Sequence, residues 1–516
     1  MSDPAAPAEF KQKLGLFDAT MLVAGSMIGS GIFIVSSYIA QDVGSSGWLL
    51  LIWVLTGVLT IIGALSYAEL ASMMPHAGGQ YVFLREAYGP LWAFLYGWTL
   101  FLVIQTGFIA AVSVAFAKFL GVLVPWLGTN HFLYEVKGLN IDWKLPVPWM
   151  DEPMTFFKRS EFTISSGQLV AVGLTIVLTI INTRGVEQGR WVQNVFTVAK
   201  GLGLALLIVL GLTVAADADA IQQNLDNVWG GISHTNSFMQ IAKFAPWTPL
   251  AVVFVLSGAM VGALFSADAW NNVTFIASEV KNPQRTLPWG LVLGTSMVIL
   301  LYILANVAYL AALPVNGLDN VNDAAKDASL LRGIDHAKDD RVGTAVLERV
   351  SPNFGVPLMA VIIMISTFGC VNGLTLMGAR LYYAMARDGL FFQSVGTLSP
   401  RGVPQAGLYL QCVWSIVLIF SGSYGDLLDY IIFAALLFYI LTVSAVFVLR
   451  FKKPDAPRPY RAWGYPVVPA LYIILCAVIM LSLLIVKPVY SWPSFIIVLT
   501  GIPVYFLWRR VNIVPV

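Results

Sequence analysis

The sequence predicts an all-α integral membrane protein of twelve transmembrane helices, the first and the sixth of them discontinuous. Three observations predict it. Of 516 residues, 58% are hydrophobic and only 11% charged, and the mean hydropathy is +0.77; that balance belongs to polytopic helical membrane proteins, not to large soluble domains. Apolar runs long enough to cross a bilayer recur twelve times, at about 15–40, 47–73, 90–122, 164–182, 191–214, 248–277, 287–313, 353–384, 405–423, 427–449, 466–486 and 493–509,. Two of these runs are interrupted near mid-depth by residues that weaken a helix.

The first run carries Gly25-Ser26-Met27-Ile28-Gly29-Ser30-Gly31. Glycine costs a helix roughly 1 kcal/mol relative to alanine, and serine offers the backbone competing hydrogen bonds. The run therefore reads as two half-helices, the outer one starting near Ile32. Irregular backbone at that depth is tolerated where it is buried in protein or lines a cavity. The outer half-helix then turns free N–H groups into the gap, a site for a carboxylate. Gly25 and Gly29 also form a small-xxx-small pair, so close helix packing is an alternative reason for them.

The second and third runs follow in order. Glu69 lies near the inner end of the second and Lys118 near the outer end of the third, where both can snorkel to water. The third and eighth runs are long and should tilt or extend beyond the bilayer. Between the second and third, residues 75–90 carry Gly78, Gly79, Tyr81, Leu84 and Arg85. This reads as a short interfacial helix, a surface anchor in the first instance and a gate in the second.

In the fifth run Lys200 stands about nine residues from the inner end, about 13–14 Å deep at 1.5 Å per residue. A buried ammonium at that depth needs carbonyls, a carboxylate or neutrality, and an intramembrane lysine is a functional candidate. The sixth run holds Ser257-Gly258 and then Phe265-Ser266-Ala267-Asp268-Ala269-Trp270-Asn271. An aspartate at mid-bilayer costs roughly 2.5–3.5 kcal/mol by insertion scales. Asp268 has two readings, an N-cap for the inner half-helix or a contact for a substrate ammonium or proton; Phe265 likewise is a lid or a packed core ring. Interrupted first and sixth spans start successive groups of five, which points to an inverted-repeat transporter with its site at the repeat interface.

Net charge is +2, so nothing suggests a nucleic-acid partner. Lys and Arg crowd one set of short loops (Lys11, Lys13, Arg85, Arg184, Arg190, Lys281, Arg285, Arg387, Arg450, Lys452, Arg509 and Arg510 among them), and the short loops opposite are nearly bare, which places both termini in the cytoplasm,. No cleavable signal peptide is expected, because residues 1–13 are polar and the first apolar run is too long for a signal core. Cys370, Cys412 and Cys476 lie in apolar runs without disulfide or metal spacing,. His76, His131, His234 and His336 fall in expected loops, so neither a metal centre nor a cofactor is expected.

At these residues the chain resembles the amino acid–polyamine–organocation (APC) superfamily, and within it the L-type amino acid transporter branch. The matching segments include Gly25–Phe33, Gly63–Leu70, Gly78–Tyr81, Ala199-Lys200, Phe265–Asn271, Ser278–Pro283, Phe368–Gly373, Arg458–Arg461 and Gly501–Tyr505, in order along nearly the whole chain. The resemblance implies a LeuT-like five-plus-five inverted repeat with two further helices: a tail of 1–14, a transport core of 15–450, and helices eleven and twelve with a short tail in 451–516. It implies that Ser26, Gly29, Ser30 and Gly31 bind a substrate carboxylate. It also implies that the carbonyls of Met27, Ile28, Phe265, Ser266 and Asp268 take the ammonium, and that Phe265 closes the site from outside. Lys200 matches the family lysine that stands roughly where sodium binds in sodium-coupled relatives.

Two departures from the family pattern matter. Ala267 and Ala269 stand where many relatives have an aromatic residue and a glycine. Animal members often pair with a glycoprotein through a cysteine between spans three and four; the loop 123–163 has none, so no disulfide-linked subunit is expected. The function expected is sodium-independent exchange of neutral L-amino acids across the plasma membrane, with the lipid bilayer and the substrate as partners and no catalytic residues. The alternatives are proton-coupled symport using Lys200 or Asp268, an amino acid receptor, disfavoured because the tail ends soon after Arg510, and an intramembrane enzyme, for which no nucleophile–base pair or metal cluster is legible.

Overall fold

A computed structural model of the chain describes residues 10–145, 154–243, 248–318, 328–421 and 424–511. Residues 1–9, 146–153, 244–247, 319–327, 422–423 and 512–516 lie outside them. The first span is α1 (Leu16–Met27) and α2 (Gly31–Val43), bent by 42° at their break. α2 runs a few residues past the expected end of the run near 40 and stops at Gly44, which takes the left-handed φ of +62°,. Then come α3 (Ser46–Met73), α4 (Gln80–Tyr88), α5 (Pro90–Leu123), α6 (Ser166–Thr183), α7 (Val186–Thr213) and α8 (Thr248–Ser266). A 3-10 helix, Trp270–Glu279, continues the sixth span. The rest are α9 (Pro283–Ala312), α10 (Pro352–Arg387), α11 (Gln405–Ile419), α12 (Tyr424–Lys452), α13 (Val467–Val486) and α14 (Pro488–Val511).

Ten helices among the described residues are long and apolar enough to cross a membrane, and the bent first pair makes an eleventh. The run 405–423 gives only the 15-residue α11, about 22 Å at 1.5 Å per residue, shorter than a bilayer's hydrocarbon core. α2 packs on α8, α3 along α9, and α5 along α10. The loop between spans three and four holds a two-stranded antiparallel hairpin, β1 (Phe132–Leu145) with β2 (Met154–Ser165). The sequence alone gives this stretch only as a loop, 123–163.

Two expectations are corrected. α4 is no surface anchor: Gln80, Tyr81, Val82, Phe83, Leu84 and Ala87 are buried. Tyr81 donates to Asp388 at 2.8 Å, Arg85 pairs with the same carboxylate, and the Gln80 amide donates to Thr442 at 2.9 Å. The helix fills a groove between other helices, which an amphipathic pattern cannot distinguish from a lipid surface. Glu69 does not snorkel. It is fully buried, held by Arg450 at 2.6 and 2.9 Å and by the Ala462 amide at 2.6 Å, with the Arg450 guanidinium lying 3.7 Å from the centre of the Tyr465 ring. Removing one partner of a buried pair leaves an uncompensated charge, so Glu69→Ala should cost about 3–5 kcal/mol, read as a lowered unfolding temperature in detergent.

The side of the molecule bearing Lys13 is sealed. The amides of Lys13 and Leu14 donate to the Glu279 carbonyl at 2.9 and 3.0 Å, and Lys281 donates back to Leu14 at 2.8 Å. Arg380 and Glu279, both buried, pair at 2.8 Å. These contacts join the start of α1 to the end of the sixth span and fasten both to α10.

Candidate functional site

A helix that ends inside a membrane leaves four carbonyls without intrahelical partners. At the end of α1 they are taken up one by one. The Ala24 carbonyl accepts from the Ile28 amide at 2.9 Å. The Gly25 carbonyl accepts from Lys200, that of Ser26 from the Cys370 thiol at 3.0 Å, and that of Met27 from the Tyr302 hydroxyl at 3.0 Å. Beyond the helix end, the Ile28 carbonyl accepts from Lys200 at 2.7 Å and from Ser366 at 3.1 Å, and the Gly29 carbonyl from Ser366 at 2.9 Å.

Lys200 is the centre of this arrangement. Its Nζ, fully buried, donates to the carbonyls of Gly25, Ile28 and, at 3.2 Å, Ser366. Three donors of one ammonium meet three carbonyls, two of them at the negative end of the α1 dipole. A fixed cation thus ties α7 and α10 to the break in the first span.

The other side of the same break is its complement. The amides of Gly29, Gly31 and Ile32 donate to no backbone carbonyl among the described residues, and they stand at the positive end of α2. Within seven residues the chain offers bound carbonyls and then amides without backbone acceptors, the polarity a zwitterion's two ends require.

In the sixth span α8 runs unbroken through Ser257-Gly258 and ends at Ser266; the chain resumes as the 3-10 helix at Trp270. The interruption is Ala267-Asp268-Ala269, with Ala269 at a φ of +65°. Asp268 Oδ1 accepts from the Ala269 amide at 2.7 Å and from the Tyr439 hydroxyl. It thus caps the adjacent amide, one residue ahead of the 3-10 helix, while Oδ2 is buried without a partner among the described residues. Phe265 is a packed ring, stacked on Phe108 with centroids 4.5 Å apart.

The two breaks touch. The Tyr302 hydroxyl of α9 lies 3.0 Å from the carbonyls of both Met27 and Ser266, and a side chain on Gly31 would fall 2.1 Å from Ser266 Oγ. Ser26 stands apart from the other expected site residues: its side chain approaches Gly373 of α10 rather than α8, and its hydroxyl has no partner among the described residues. The hollow beside Asp268, lined by Gln105, Phe108, Asn271, Asn272 and Tyr439, has about 10 Å³ of free space, roughly one water. Admitting an amino acid requires the breaks to part.

Several residues here escaped the sequence reading. Gln105 follows a π-helical turn, Leu100–Ile104, a distortion common at functional sites. Its amide reaches the Leu374 carbonyl at 2.7 Å and its oxygen receives Asn272 at 3.1 Å. Tyr302, Ser366 and Tyr439 are polar groups scattered among others on long apolar helices, and no local pattern distinguishes them.

The family model described as amino acid permease matches residues 14–507. This chain belongs to the amino acid permease family. The permease is 28% identical over 505 residues to the b(0,+)-type amino acid transporter 1 of Mus musculus, covering 96% of this chain and 88% of that protein. It is 28% identical over 506 residues to the large neutral amino acids transporter small subunit 2 of Homo sapiens, covering 96% and 80%. To the human cystine/glutamate transporter it is 27% identical over 502 residues, covering 97% and 86%. The resemblance to the L-type branch of the APC superfamily is borne out. The permease is a membrane transporter of amino acids, not an enzyme.

Proposed function

We propose that this permease exchanges neutral L-amino acids across the plasma membrane by alternating access, without sodium. The observation that carries the reading is the Lys200 ammonium held by the Gly25, Ile28 and Ser366 carbonyls: a side-chain cation at the carbonyl end of α1 takes the place a coupling ion would fill. The substrate carboxylate goes to the amides of Gly29, Ser30 and Gly31, with Ser26 nearby. The ammonium goes to the carbonyls of Met27, Ile28, Phe265, Ser266 and Asp268 once Tyr302 yields, and Phe265 gates. A neutral side chain suits the apolar surroundings of Phe265, Phe108 and Ala267 and agrees with one relative's name.

The packing of spans one on six, two on seven and three on eight supports a five-plus-five repeat in 15–450, twelve spans with the short α11 as the ninth, and two helices outside the repeat in 451–516. The distribution of Lys and Arg supports cytoplasmic termini, with the hairpin outside. The three cysteines are free and buried and none lies in 123–163, which supports a carrier that works without a disulfide-linked subunit.

Purified protein in liposomes should take up labelled neutral amino acid only when the lumen is preloaded with amino acid, equally in sodium and choline. Equal uptake into empty vesicles would sink exchange. A second reading, proton-coupled symport, is favoured by one observation, the partnerless buried Oδ2 of Asp268; accumulation in empty vesicles driven by an imposed pH gradient would select it.

A further inference from the structure

Away from the two breaks, the hairpin side opens into a vestibule of about 1600 Å³ between α5, α11, α12 and the segment 338–348. Its charged groups are nearly all engaged. Arg341 pairs with Asp339, Glu348 receives Arg332 at 3.1 Å, and Asp340 accepts from the Tyr38 hydroxyl at 3.2 Å. Lys338 is exposed to solvent. Lys118 of α5 differs. It is half-buried in the vestibule wall and makes no hydrogen bond or ion pair with any described residue.

An ammonium drawn part-way out of water without a counter-charge in contact is a standing attraction for an anion, and a concave low-dielectric wall concentrates its field. Asp340 lines the same vestibule and is not bonded to Lys118. Asp339 and Asp340 hold left-handed backbone, φ +53° and +61°, a conformation that costs of order 1–3 kcal/mol per non-glycine residue. It sets Asp340 against Tyr38 on the same wall. The hydroxyl of Thr344, also on this wall, is buried without a partner among the described residues. A cation without a partner among the described residues and an anion held by a tyrosine hydroxyl thus line one open hollow, and an α-amino acid presents the matching two charges.

Lys118 is ten residues beyond Phe108 on α5, about 15 Å along the helix. An amino acid bound at Lys118 cannot reach the breaks behind the Phe108–Phe265 stack. We propose that the vestibule is an outer recognition site for zwitterionic amino acids: Lys118 takes the carboxylate, Asp340 the ammonium, and the substrate is collected there before the stack parts. The inference rests on the exchange reading and adds a first stop to it.

The test is transport kinetics in proteoliposomes of fixed orientation, measured from each side. Lys118→Met should raise KM from the hairpin side about tenfold and leave kcat, and KM from the opposite side, unchanged. Asp340→Asn should do the same more weakly, Lys118→Glu more strongly, and Lys118→Arg should restore most of the affinity. Wild-type uptake should weaken with ionic strength, and the Lys118→Met variant should lose that dependence. An unchanged KM for both Lys118→Met and Asp340→Asn overturns the proposal, and so does a KM raised equally from both sides, which marks a change in the core. Absence of exchange in the wild-type protein would remove the exchange reading itself, a result distinguishable from either.

Discussion

Lys200→Met should abolish exchange, with turnover falling at least about 100-fold while the protein still inserts and purifies. The substitution keeps the unbranched chain as far as Cε and removes Nζ with its three donors. The Gly25, Ile28 and Ser366 carbonyls then face a terminal methyl group in a fully buried position. Hydrogen bonds to a charged group are worth about 1.5–3 kcal/mol each, and a loss of about 3 kcal/mol from the rate-limiting step is already about 100-fold. Loss of the ammonium also unties the first break from α7 and leaves it held to α10 only by the Ser366 hydroxyl and the Cys370 thiol. Lys200→Arg should not rescue, because a planar fork matches carboxylates rather than three converging carbonyls. Turnover per inserted molecule separates this from a folding defect; a wild-type rate in Lys200→Met would refute the role assigned to the residue.

What the sequence made legible, and what it hid, divides along one physical line. Spans were readable because bilayer thickness sets the length of an apolar run. The break in α1–α2 was readable because three glycines and two serines in seven residues oppose a helix locally. Lys200 and Asp268 were readable because charge at mid-depth is costly whatever surrounds it. The groups that complete the site depend instead on which face of each helix meets which neighbour. Tyr302 is one of two tyrosines on a 30-residue helix, and its double contact with Met27 and Ser266 exists only once α9 lies beside both breaks. Glu69 and its partner Arg450 are 381 positions apart. The π-turn before Gln105 has no compositional signal, and the burial of α4 needed the groove it fills. The sixth break lies at Ala267–Ala269, beside the aspartate whose cost at mid-depth marked it, while Ser257-Gly258 stays within α8.

Gly31→Ala should cut exchange at least about tenfold, and Ser266→Gly should restore most of it in the double variant. A β-carbon at residue 31 would meet Ser266 Oγ at 2.1 Å, its Cβ at 2.8 Å and its Cα at 3.1 Å. Turning the hydroxyl away relieves only the first of these, so the breaks must move apart by several tenths of an ångström, an overpacking that typically costs 1–3 kcal/mol. That strain falls on the closed arrangement, in which Tyr302 bridges the Met27 and Ser266 carbonyls. An exchanger must pass through this closed state on every half-cycle, so the population that completes the cycle falls. Ser266→Gly removes the hydroxyl and the β-carbon and leaves only the 3.1 Å contact. By itself it loses the Ser266 hydroxyl bond to the Gly262 carbonyl and should lower the rate modestly. The sign of the coupling is therefore fixed in advance: the double variant must outperform Gly31→Ala, although Ser266→Gly alone is no better than wild type. If the two substitutions combine additively, the breaks do not bear on each other during transport, and the contact between Gly31 and Ser266 is packing without a part in the cycle.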